Sequence, residues 1–153
     1  MGAPSDADDR DAIRTLLHEY CFRLDAGDLD GVAALFADAT MGSPDRPERL
    51  RGTTAVRSNY DGVILYDDGT PCTQHNLANT TIVLDGDTAT STSYFTVLQS
   101  RPDFALQPIL AGRYVDRFER VEGRWRFAAR VIHPDRIGDM TRHMRADRQP
   151  PRR

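Results

Sequence analysis

Apolar positions over the first third of the chain recur at helical spacing. Ile13, Leu16, Leu17, Tyr20, Cys21 and Leu24 follow the i, i+3, i+4, i+7 pattern of one buried face. Ser5 or Asp6 is placed to cap this helix, and acids crowd its first turn, where the dipole favours them. Gly27 is a stop signal. Asp28 then caps a short second helix, with Leu29, Val32, Leu35 and Phe36 as its inner face. "ADATMG" reads as a short strand. "SPDRPERLRG", with two prolines and many charges, reads as a loop. A third helix is expected from Thr53 to about Tyr66, with Val56, Tyr60, Val63 and Ile64 inward.

The second half changes period. "TTIVL", "TATSTSYFTVLQ", "ILAGRYVDRFERV" and "RWRFAARVI" read as strands, with "DGD" and "EGR" as hairpin turns whose glycines supply positive φ. "SRPDFALQP" reads as a longer connection. Helices first and an antiparallel meander after argue an α+β fold, with helices packed on one face of a curved sheet. One domain is expected over 1–153, with a core at about 8–135 and a loosely ordered, charged tail at about 139–153.

Composition narrows the function classes. The chain has 153 residues, 39% hydrophobic and 28% charged, with a net charge of −3. That balance gives no electrostatic case for nucleic acid. All cations are arginine. Cys21 and Cys72 have no CxxC spacing, and Cys21 lies on the apolar stripe as a buried free thiol. No leader and no membrane-length apolar run is read, so a cytoplasmic protein without membrane partners is expected. His18, His133 and His143 have neither HxH nor HExxH spacing, so no metal is expected. No phosphate-loop or GxSxG motif occurs, and no cofactor is read.

Four residues carry candidate chemistry. Asp25 stands at the edge of the helical stripe, near the dipole's unfavourable end. From spacing alone it is as readily a solvated acid as the partner of a histidine. His75 heads a strand, and period two places Leu77, Asn79, Thr81 and Val83 on its face. That face is either concave, with His75 and Asn79 looking into a cavity, or exposed. Tyr20 lies within the stripe and reads first as core. Along the last strand Trp125, Phe127, Ala129 and Val131 share an apolar face. Arg126, Ala128, Arg130 and Ile132 share a mixed one that meets either a polar pocket or solvent.

The segments "AIRTLLHEYCFRLDAGDLDGVAALFADAT", "GTTAV", "HNLANTTIVLDGDTA" and "GRYVDRFERVEGRWRFAARV" together resemble the SnoaL-like branch of the nuclear transport factor 2-like superfamily, over about residues 8–135. The resemblance implies a cone, in which a bent antiparallel sheet wraps the long first helix and a deep pocket opens at the wide end. Members include scytalone dehydratase, bile acid 7α-dehydratase, hexachlorocyclohexane dehydrochlorinase and polyketide cyclases. It implies catalytic roles for His75 and Asp25. By likeness to the dehydratases it implies one for Tyr20, and by likeness to the dehydrochlorinase one for Arg130. The absence of lysine departs from the dehydrochlorinase and argues against its leaving-group chemistry. The expectation is a cofactor-independent lyase or dehydratase acting on a mid-sized, mostly apolar small molecule, as a homodimer or homotrimer. The alternatives are a cyclase or isomerase with the same dyad, and a non-catalytic binding or association module.

Overall fold

The computed structural model describes residues 4–150. Helix α1 (Asp6–Asp25) starts at a reciprocal cap. The Asp8 amide donates to Ser5 Oγ at 3.2 Å, and the Ser5 amide donates to Asp8 Oδ2 at 2.9 Å. Ile13, Leu17, Tyr20, Cys21 and Leu24 form its buried face, as the spacing requires. Gly27 turns the chain at φ +75°. Asp28 then caps α2 (Leu29–Ala34) by accepting from the Gly31 amide at 2.9 Å.

Strands β1 (Thr40–Ser43), β2 (Arg46–Arg51), β3 (Thr73–Asp85), β4 (Thr88–Arg101), β5 (Phe104–Val121) and β6 (Arg124–Ile137) form one open sheet in the order β2-β1-β6-β5-β4-β3. Neighbours are antiparallel except β1 with β6. Helix α3 (Gly52–Ser58) connects β2 to the segment that leads into β3. The sheet is curved and unclosed, as expected of an α+β cone. Its concave face closes on α1 over a core that includes Ile13, Leu17, Phe36, Phe95, Phe118 and Phe127. At the narrow end, Trp125 Nε1 donates to Asp9 Oδ1 at 2.8 Å and Arg120 Nη1 bridges both Asp9 oxygens, locking the β5–β6 hairpin to the first turns of α1. Among the described residues no helix is long and apolar enough to cross a membrane.

Several expectations are corrected. The supposed loop after β1 holds the strand β2. It lies at the sheet edge, where a proline and a run of exposed charges are tolerated because only one side needs ladder bonds. The supposed connection at 100–108 is absorbed into β4 and β5, which turn tightly at Pro102–Asp103. The third helix ends at Ser58, not Tyr66. Beyond it Gly62 O accepts from the Arg145 amide at 2.8 Å and the Ile64 amide donates to His143 O at 2.9 Å. These backbone groups are bonded to the C-terminal segment and so cannot continue a helix. Residues 138–148 are correspondingly not loose, and 151–153 lie outside the described residues. Gly138 N donates to Ile109 O at 2.8 Å, Met140 is buried, and Met144 bridges Val63.

Two of the sheet's bulges move candidate residues to other faces. In β3 the register shifts between Ala78 and Thr81, where Asn79 takes φ +52°. One residue out of phase flips everything beyond it. His75 and Leu77 point inward, but so do Thr80, Ile82 and Leu84, while Asn79, Thr81 and Val83 are exposed. Asn79 therefore does not look into the cavity. In β6 the register shifts opposite Arg117 and Phe118, so Ala128 is the extra residue. Trp125 and Phe127 line the interior, and Arg130 joins their side rather than the opposite one.

Candidate active site

The wide end of the cone holds a cavity of about 490 Å³, within the range of small-molecule sites. Phe95, Val97, Leu110, Ile132 and Met140 supply apolar walls, and His75, His143, Tyr20 and Tyr60 supply polar groups.

Asp25 is the last residue of α1, and His75 is the third residue of β3. Packing of α1 on β3 brings them together. His75 Nδ1 lies 2.6 Å from Asp25 Oδ1. The same carboxylate accepts from the His75 amide at 2.8 Å through Oδ2 and from Thr73 Oγ1 at 2.8 Å through Oδ1. Three donors thus hold an acid that the helix dipole alone disfavours. A carboxylate only accepts, so the proton of the neutral ring sits on Nδ1 and the lone pair on Nε2. The side chains are 7% and 19% exposed, so the pair is screened little by solvent.

Tyr20 also comes from α1 and is 2% exposed. Its hydroxyl lies 2.9 Å from that of Tyr60, whose hydroxyl can donate to the weak acceptor Met41 Sδ at 3.5 Å. Burial pushes the pKa of both phenols up, so both stay protonated and available as donors.

Arg130 does not join this group. It is fully buried, outside the cavity lining, with Nε and Nη2 donating to Asp116 at 2.8 and 2.9 Å. Its guanidinium carbon sits 4.1 Å from the centre of the Tyr20 ring and 3.9 Å from that of Tyr114. Burial opposes its charge, but Asp116 outweighs burial and the guanidinium is held cationic. Arg130 supports the floor of the cavity from behind. Among the described residues no group of three or more histidines, cysteines or acids is arranged to hold a metal ion.

The SnoaL-like domain model matches residues 5–131, most of the chain and every strand up to the middle of β6. This chain belongs to the SnoaL-like domain family. Solved structures place it in the same fold. Rv3472 of Mycobacterium tuberculosis, a protein of unknown function solved as an aspartate-to-asparagine variant, is 26% identical with a TM-score of 0.68, over 84% of this chain and 77% of that one. An NTF2-like protein with a cystatin-like fold from Novosphingobium aromaticivorans is 22% identical with a TM-score of 0.70, over 84% and 83% of the two chains. A third, from the same organism and named only provisionally as a scytalone dehydratase, is 21% identical with a TM-score of 0.63, over 82% and 83%.

Two cavity groups of this SnoaL-like domain escaped the sequence reading. Tyr60 was visible only as an inward position of a helix, so it read as core. His143 lies in the charged tail, beyond the residues that the family model matches, and no spacing marks it.

Proposed function

We propose that this SnoaL-like domain is a cofactor-independent lyase that removes water from a mid-sized, mostly apolar carbonyl compound. The observation that carries the reading is the 2.6 Å contact of His75 Nδ1 with Asp25, made at the wall of a cavity whose lining is otherwise largely apolar. His75 Nε2 takes a proton from the carbon next to the substrate carbonyl, and the C–H electron pair forms an enolate. Tyr60 turns its proton from the Met41 sulfur to the Tyr20 oxygen, and Tyr20 donates to the carbonyl oxygen. The enolate re-forms the carbonyl and expels the β-hydroxyl. The proton on the His75 imidazolium goes to that leaving oxygen, so water departs and His75 is restored. Asp25 stabilises the transient imidazolium. The neighbour provisionally named as a scytalone dehydratase fits the same class of reaction.

Ring opening of a nitrobenzisoxazole tests the base without knowledge of the substrate. That reaction needs only removal of one C–H proton in an apolar site, and it releases a coloured phenolate. The wild-type protein is expected to exceed free imidazole at equal concentration. His75→Ala is expected to abolish the excess, and Asp25→Asn to lower kcat by about 10²–10⁴-fold with the fold retained. A wild-type rate no better than imidazole, or one unchanged in His75→Ala, would sink the reading.

A further inference from the structure

A second histidine faces the same cavity from an element outside the family-matched domain. The segment from Gly138 onward crosses the rim and is pinned there. Gln99 Nε2 donates to Arg142 O at 2.9 Å, Tyr66 Oη donates to the same oxygen, the His143 amide donates to Met140 O at 3.0 Å, and His143 O accepts from Ile64. His143 is thus fixed at the cavity wall by its own backbone and its neighbour's. Its Nδ1 is buried with no hydrogen-bond partner.

That orphaned nitrogen decides the tautomer. A proton on Nδ1 would bury an unpaired N–H donor, the rarer kind of unsatisfied group. The proton therefore sits on Nε2, and the ring offers an N–H to whatever occupies the cavity. Charge sorts the two histidines as well. Asp25 contacts His75 and not His143, so a proton arriving in the site is stabilised on His75. A second imidazolium close by would be repelled by the first and is disfavoured by burial. His143 is accordingly pushed down to about 4, with burial the main cause and His75 the second, against the pull of Asp25.

We propose that His143 is a catalytic residue that stays neutral and donates its Nε2–H to the substrate oxygen on which negative charge develops, while His75 alone takes the proton. The ligand class follows: a compound with an uncharged oxygen, carbonyl or hydroxyl, across the cavity from the carbon that His75 deprotonates. This rests on the lyase reading above and adds to it a residue that belongs to this chain's C-terminal segment.

The nitrobenzisoxazole reaction also develops charge on an oxygen, so it tests both steps separately. His143→Leu is expected to lower kcat by about tenfold or more with little change in KM, and His143→Gln, which keeps an N–H donor, to recover part of the loss. If His75→Ala abolishes activity while His143→Leu matches wild type, His143 has no such role and the lyase reading survives. If His75→Ala changes nothing, both fall. Nitrogen-15 NMR of the wild-type imidazoles guards against a misfolded variant. The expected state of His143 at neutral pH is uncharged and protonated on Nε2. A cationic ring, or one protonated on Nδ1, would overturn the proposal.

Discussion

His143 exposes the electrostatics of the site at the scale of one residue. An ordinary histidine takes its proton near 6.5, and this one, chiefly because it is buried, near 4. Between those values the unfolded chain binds a proton that the folded chain refuses. Stability is therefore expected to fall as pH drops from about 6.5 to 4, and to be restored as pH rises through the same window. The full shift corresponds to about 3 kcal/mol, at about 1.4 kcal/mol per pH unit. Thermal melts between pH 7 and 4 should show this limb in the wild type and a flatter one in His143→Gln. An equally steep fall in the variant would assign the limb to other groups. The Asp25 carboxylate joins two elements. Its three donors come from Thr73 and His75, so one side chain both ties the end of α1 to the start of β3 and orients the imidazole.

Elements owe their faces to single residues out of register. The bulge at Asn79 lets β3 present His75 to the cavity at one end and Ile82 and Leu84 to the core at the other. Without it these two sets would lie on opposite faces. Asn is one of the few side chains that accepts the left-handed backbone there, and a β-branched residue is not. Asn79→Val is expected to cost about 1–2 kcal/mol in denaturant titration, and Asn79→Gly to be nearly neutral. Equal stability of the two variants would mean that the bulge does not depend on the left-handed backbone. The extra residue at Ala128 does for β6 what Asn79 does for β3, and it delivers Arg130 to the buried Asp116. Breaking such a pair by removing one partner leaves an unmatched charge in the core.

At the scale of the molecule, the convex face of the sheet is left to solvent in a single chain. Val83, Thr90, Thr92, Tyr94 and Val115 share it through the β3–β4 and β4–β5 pairings, and Val83 and Tyr94 are 64% and 52% exposed. We propose that a second copy of the chain covers this face. Trp125 and Phe127 take no part, because they line the interior. Light scattering at micromolar concentration is expected to return a dimer or trimer, and Tyr94→Asp to shift it toward the monomer. A wild-type mass near 17.2 kDa would count against the proposal.

The sequence alone determined whatever depends on neighbours in the chain. The buried stripe of α1, its Ser5 cap, the Gly27 stop, the Asp28 cap and the glycine hairpins at 86 and 123 were all legible, since helix periodicity and positive φ are local matters. His75 and Asp25 were legible as candidates, one by its odd place at the head of a strand and the other by its unfavourable place at the end of a helix. Only the tertiary structure decided that they meet. It also decided that Asn79 turns away, that Arg130 is occupied by Asp116, and that His143 comes back to the cavity from the tail. Bulges shift the strand period by one residue without any mark in composition. The tail is held by backbone groups of residues 62 and 64 and by the side chains of Tyr66 and Gln99, partners far off in sequence. Such contacts leave no periodic trace, because each exists only after the sheet has curved around α1.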